Sequence, residues 1–215
     1  MKKSDIFCFI GMDGSGKTTL IKTVENRLNM RDLQYYYIWA GWRGFESYFF
    51  KPFVTKYKRR FPNKKDFSSY GKNILIFDFL VLFDYTSRIM PKFIFAYFKK
   101  STIIMDRSFY DVIINNIHNK NLQKNFIKLI DLLLPKCNIF FINVPYKIAY
   151  ERKKEEFTCI ENAKIIYEKY KNLYFLLKEV NKNIMITQID NTKPIEIVVD
   201  EIVDYIESII LDENT

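Results

Sequence analysis

Gly11-Met12-Asp13-Gly14-Ser15-Gly16-Lys17-Thr18 has the spacing G-x-x-x-x-G-K-[ST], the signature of a phosphate-binding loop. Ile6-Phe7-Cys8-Phe9-Ile10 before it is an unbroken apolar run, short enough for a buried strand. Thr19 to Leu28 after it alternates as an amphipathic helix does. The glycines let the backbone curl so that successive N–H groups point inward at phosphate oxygens. The helix that starts near Lys17 adds the positive end of its dipole. Lys17 should reach the β- and γ-phosphates and Thr18 should offer its hydroxyl to Mg²⁺, with Gly11 through Thr19 as the nucleotide-binding set.

Outward from the loop, strand and helix patterns alternate. Gln34 to Trp39, Thr102 to Asp106, Asn138 to Val144 and Ile184 to Ile189 read as strands. Helical patterns lie between and after them: Phe45 to Phe61, Ser68 to Met90 (stopped by Pro91), a further turn or two over Phe93 to Lys100, Ser108 to His118, Leu122 to Leu134, Pro145 to about Glu156, Glu161 to Lys182 and Pro194 to Leu211. This alternation predicts a five-stranded parallel sheet with helices on both faces, three α/β/α layers over a single domain 1–215.

Composition narrows the class. The chain has 215 residues, 48% of them hydrophobic and 17% aromatic, enough for one sizeable core. No apolar run approaches the roughly 18 residues of a spanning helix, so no transmembrane segment is expected. Met1-Lys2-Lys3-Ser4-Asp5 leads straight into the first strand, so no leader peptide is expected either. Cys8, Cys137 and Cys159 have no metal-type spacing and read as reduced thiols of a cytoplasmic protein. The net charge of +9 is spread over a Lys-rich surface, and no nucleic-acid-binding motif accompanies it, so no nucleic-acid partner is expected. A basic run, Lys56 to Lys65, reads as a solvated face, with a docking patch for an acidic partner or lipid head groups as the alternative. The 68–90 helix is apolar on most faces; a homodimer interface and burial within the monomer both account for that.

Three further elements carry chemistry. Asp106-Arg107 follows the third strand at the carboxyl edge, where ligands bind in such sheets. Asp106 suits an outer contact to Mg²⁺ or the orientation of an attacking group, and Arg107 offers a planar fork for a phosphate. Arg152-Lys153-Lys154 marks a short basic lid around 150–160, whose arginine would stabilise a transferring phosphoryl group. A guanine-reading Asn-Lys-x-Asp, which a nucleotide switch would carry, is not completed by Asn181-Lys182-Asn183-Ile184.

These elements together resemble the thymidylate kinase family. The phosphate loop with its internal acid, Met105-Asp106-Arg107-Ser108, the stretch Asn143-Val144-Pro145 with Ala149 and Arg152, and Ile189-Asp190-Asn191-Thr192 occur in the family's order over nearly the whole chain. The resemblance implies a P-loop NTPase fold and transfer of the γ-phosphoryl of Mg-ATP to dTMP. It also implies roles. Asp13 would hold the acceptor's sugar hydroxyl, and Arg107 and Arg43 its phosphate. Arg88 would read the acceptor base and Arg152 would serve as the lid arginine. The departures gather on the acceptor side. Glu-Pro is missing after Arg43, Asp84 stands where a stacking Phe is expected, and Ser108 replaces Tyr or His. A kinase of the same fold with another small phosphate acceptor (a nucleoside, a sugar or a lipid-linked head group) is therefore the alternative.

Overall fold

β1, Ile6–Ile10, is buried along its whole length. An apolar run with no polar face needs cover on both sides, and a central parallel strand provides it. A computed structural model describes residues 5–41, 74–99, 101–117, 119–133, 137–180 and 184–212. In chain order the described elements are β1, α1 (Lys17–Met30), β2 (Tyr35–Trp39), α2 (Ile74–Phe98), β3 (Thr102–Asp106), α3 (Phe109–Asn116) and α4 (Lys120–Leu133), then β4 (Cys137–Asn143), α5 (Tyr146–Arg152), α6 (Ile160–Val180), β5 (Met185–Asp190) and α7 (Ile195–Asp212).

The five strands are all parallel, in the order β2-β3-β1-β4-β5. The pleat of β1 sorts its side chains into two cores. Ile6, Cys8 and Ile10 face a cluster that includes Tyr85 and Ile89 of α2, Ile113 of α3 and Leu173 of α6. Phe7 and Phe9 face Leu20, Ile21 and Val24 of α1 and Val198 and Ile202 of α7. This gives the three layers. The register sets Phe9 of β1 beside Asp106 of β3, and Asp106 beside Trp39 of β2, so the carboxyl ends of these strands form one ledge. Cys8 and Cys137 are buried free thiols with their sulfurs 3.2 Å apart.

Two element boundaries depart from the sequence reading. α2 does not stop at Pro91 but continues through it to Phe98. A proline inside a helix costs roughly 3 kcal/mol. Ile89, Phe93 and Ala96 recur at helical spacing on the buried face across it, and each large side chain buried there returns about 1.5–3 kcal/mol. The face opposite carries exposed Phe79, Phe83, Phe95 and Phe98, so burial all round within the monomer does not occur. The helix after Pro145 is shorter than expected. α5 ends at Arg152, Lys153 leaves helical geometry (φ −148°, ψ 59°), and a single 3₁₀ turn covers Lys154–Glu156. Residues 45–61, the 56–65 basic run and the start of the 68–90 helix lie outside the described residues.

Candidate active site

The phosphate loop has the backbone its glycines require. Gly14 and Gly16 sit at φ 76° and 86°, in the left-handed region where L side chains are strained. Space forbids a side chain as well. A Cβ on Gly14 would strike the carbonyl oxygen of Ala149 in α5, and one on Gly16 would strike the Asn191 amide nitrogen. The loop is thus pressed between α5 and the segment after β5. Asn191 holds that closure, donating from Nδ2 to the Ser15 carbonyl at 2.7 Å while its own N–H donates to Asn143 O at 3.2 Å.

Lys17 is buried, and its Nζ donates to the carbonyls of Gly11 and Met12, each at 2.6 Å. Burial, aided by the Arg107 charge, pushes its ammonium down to about 8. Across the ledge, Arg107 follows β3 with a left-handed backbone (φ 70°), and its N–H donates to Phe9 O at 3.0 Å. That conformation is strained for a non-glycine residue. Its guanidinium pairs with Asp13. Burial would raise the Asp13 carboxyl, but Arg107 and Lys17 outweigh it and hold it below the ordinary range. Asp106 moves the other way: burial lifts it against the pull of Lys17 and Arg107. The hydroxyl of Tyr37 donates to its Oδ2 at 3.3 Å.

Asp13, Gly14, Gly16, Lys17, Thr18 and Thr19 line one cavity of about 710 Å³. Asp106, Arg107 and Arg152 line the same cavity, so the fold brings together the phosphate loop, the Asp-Arg element and the end of α5, where the lid is expected. Gly11, Met12 and Ser15 form the loop's buried inner turn. Arg152 reaches over the loop and donates from Nη2 to the Asn191 carbonyl at 3.3 Å. Arg88 is not in the lining; its Nε lies 3.6 Å from the buried Asp84, one helical turn earlier. Arg43 lies outside the described residues.

The cavity also has walls that the sequence did not announce. Trp39, read as a sheet residue, lines it, as do Asn115 and Asn116 of α3. The most consequential addition is Asp111, fully buried and also in the lining. Its Oδ2 accepts from the Ser108 N–H at 2.9 Å and hydroxyl at 3.3 Å, and its Oδ1 accepts from the Tyr170 hydroxyl at 3.0 Å. Tyr170 in turn accepts from Asn115 Nδ2 at 2.9 Å. Ser108 and Asp111 form a capping box for α3, which explains a serine at the position where the family resemblance anticipates Tyr or His. A Ser-x-x-Asp box is legible in sequence as a helix start; that its acid also faces a cavity depends on the sheet order.

No family model and no curated protein sequence matches the chain. Solved structures do match in fold. A deoxyadenosine kinase from M. mycoides with bound dATP superposes with a TM-score of 0.57 at 15% identity, over 94% of this chain and 98% of that one. The same enzyme with dCMP and a flexible dCDP, and with dCTP, superposes over the same shares with TM-scores of 0.56 and 0.55. The expected five-stranded parallel P-loop fold is therefore the observed one. None of the described helices is long and apolar enough to cross a membrane.

Proposed function

We propose that this chain is an ATP-dependent phosphotransferase that moves the γ-phosphoryl group of Mg-ATP onto a small acceptor of the nucleoside class. One observation carries the reading: a glycine-built phosphate loop with Lys17 at its base opens into the same cavity as Arg107, Asp106 and Arg152. A wall of this kind suits two substrates meeting end to end. In this reading residues 1–215 act as one kinase domain with a short lid at 150–160. The acceptor that the resemblance implies is dTMP, with Asp13 on its sugar and Arg107 and Arg43 on its phosphate. A deoxynucleoside is the second reading, supported by the likeness to deoxyadenosine kinase.

The residues present fit a magnesium ion. Thr18 and Asp106 offer hydroxyl and carboxylate oxygens in one cavity, the hard donors that Mg²⁺ prefers. No group of three His, Cys, Asp or Glu among the described residues could hold a metal alone, so nucleotide oxygens would complete its shell. Bound there, Mg²⁺ supplies charge neutralisation at the β- and γ-oxygens. The chain's own residues do the rest. Loop N–H groups and Lys17 hold the donor phosphates, Arg107 and Asp13 set the acceptor in line, and Arg152 meets the charge that spreads over the transferring group. A homodimer through the 68–90 helix belongs to this reading; its exposed Phe79 and Phe83 support it. The test is ADP release in a coupled assay with dTMP, thymidine and deoxyadenosine. Acceptor-dependent turnover is expected, and a rate no higher than the ATPase background with every acceptor would sink the proposal.

A further inference from the structure

A second cavity, of about 110 Å³, shares no lining residue with the first and reaches the phosphate loop at Met12. It lies between the carboxyl end of β4 and α6, with Gln188 of β5 beside it. Four of its walls connect directly to the phosphate loop or to the larger cavity. Met12 O accepts from Lys17 Nζ at 2.6 Å. The Ile142 carbonyl oxygen stands where a Cβ on Gly11 would be. Asn143 O accepts from the N–H of Asn191, whose side chain holds Ser15 O. Tyr170 donates to Asp111, which lines the larger cavity. Whatever fills the second cavity therefore touches residues one contact away from the nucleotide's place in the proposed function.

The lining consists of rings and one charge. The rings of Phe141 and Tyr174 have centroids 5.1 Å apart, those of Tyr174 and Phe175 5.5 Å apart, and Tyr167 and Tyr170 extend this aromatic wall. Ring edges and faces set at such angles attract another flat ring. Lys171 is the one charged residue of the lining, and no acid accompanies it. Met12, Phe141, Ile142 and Tyr170 are buried, whereas Lys171, Phe175 and Gln188 are exposed, so the charge stands at the mouth. An apolar cavity of roughly 150 Å³ accepts benzene. This one, open at its mouth, has room for a single ring and not for a fused pair. We propose that it is a second ligand site, for a small aromatic acid whose ring lies against the aromatic wall and whose carboxylate meets Lys171. The site goes beyond the phosphotransferase reading and stands without it. Its occupant would hold Met12 and Ile142 in place. The loop already has its curled form, with Gly14 and Gly16 in the left-handed region, so a nucleotide would have less ordering left to impose. Occupancy of the second cavity should therefore favour Mg-ATP.

The experiment is an NMR titration of the nucleotide-free full chain with benzoate (ring and charge), benzyl alcohol (ring alone), acetate (charge alone) and naphthoate (a fused pair). Benzoate should saturate one site with a Kd on the order of 1 mM, the range open to a ligand of so few atoms. It should bind at least about threefold more tightly than each of the others. Lys171→Met keeps the stem and removes the charge, so it should bring benzoate down to the level of benzyl alcohol. Phe175→Ala, at an exposed position, should weaken benzoate and benzyl alcohol alike by about threefold. Arg152→Ala changes only the larger cavity and should leave benzoate within about twofold. Saturating benzoate should then tighten Mg-ATP about fivefold. No saturable benzoate binding, any of the other three bound as well as benzoate, or unchanged affinity in both the Lys171 and Phe175 variants would each overturn the inference. So would a loss of benzoate in Arg152→Ala, or an Mg-ATP affinity that benzoate leaves alone or weakens. Failure to bind Mg-ATP at all would instead remove the phosphotransferase reading, and the benzoate titrations alone would decide this site.

Discussion

Lys17 and Arg152 rest on main-chain carbonyls, whereas Arg107 and Arg88 rest on carboxylates. The difference matters because the two kinds of partner yield to an incoming anion at different cost. A carbonyl is a neutral dipole, and a phosphate oxygen replaces it with a gain in charge attraction. A carboxylate already supplies that attraction, so a phosphate must displace one anion with another or sit beside it. In the proposed function, the loop side of the cavity would thus be the donor half, with its cations on neutral groups, and the Arg107 side, with Arg88 behind it, the acceptor half, with its cations on carboxylates.

The largest expected effect tests the donor half. Lys17→Ala removes the one charge that burial holds at the loop's base, and phosphoryl transfer should fall about 10³-fold or more. The fold should survive, since Lys17 makes its bonds to loop carbonyls rather than to the core. Steady-state kinetics with a thermal melt check both halves of the statement. Near-normal turnover in a folded variant would mean that the loop's charge is not what the donor needs.

Next comes the acceptor half. Asp84 is fully buried while Arg88 keeps a little exposure, so Asp84→Ala takes a carboxylate away from a mostly buried guanidinium. Loss of one partner of such a pair costs about 3–5 kcal/mol. Urea unfolding should show a drop near the lower figure, with the Mg-ATP affinity unchanged. A loss below about 1 kcal/mol would show that Arg88 is not held by Asp84, and the contrast between the halves would weaken by one pair.

How much of this was legible beforehand differs between the same two halves. The loop side was readable because its pattern lies in consecutive residues. Gly11 to Thr18 specify a turn, a helix start and a cation with no help from the rest of the chain. That the sheet is parallel with helices on both faces followed from alternation alone; the order of its strands did not. The acceptor side is assembled from places far apart in sequence. Asp111 reads as a capping residue until β3 is set beside β1, and Tyr170 reads as one aromatic among many until α6 packs across α3. Asp84 was noticed only as a misplaced residue, because a charge pair one turn apart looks the same on a surface helix as on a buried one. The boundary errors share that origin. Pro91 and Lys153 obey local rules that tertiary packing overrode, the first by burial on both sides of the proline, the second where the chain turns at the end of α5.

A smaller effect separates the lid from the loop. Asn191 serves both, through its side chain to Ser15 O and its carbonyl to Arg152. Asn191→Ala removes only the first. A buried carbonyl left without its donor costs about 1–3 kcal/mol, so Mg-ATP should bind roughly tenfold more weakly while kcat changes little. Equal losses in both parameters would show that the lid arginine moves with the loop, and that the donor half is one unit rather than two.

The smallest effect is also the sharpest measure of the contrast, because it counts protons instead of rates. With Lys17 titrating at about 8 in the folded chain and near 10.5 when unfolded, the unfolded state binds more protons between those values. Stability of the nucleotide-free protein should therefore gain from Lys17 as pH rises through that window, and the burial cost should be present in full below it. Donor phosphates favour the charged ammonium and cancel its depression. Mg-ATP binding at pH 8 should then take up about half a proton, since about half of the Lys17 population is neutral there beforehand. At pH 6.5 this contribution should vanish. Calorimetry in two buffers of different ionisation enthalpy reads the uptake directly, and Lys17→Arg, which stays charged throughout, sets the baseline. If wild type and the arginine variant took up the same number of protons at pH 8, Lys17 would already be fully charged before the nucleotide arrives. The carbonyls of Gly11 and Met12 would then be holding an ordinary ammonium, and the donor half would owe its readiness to loop geometry alone.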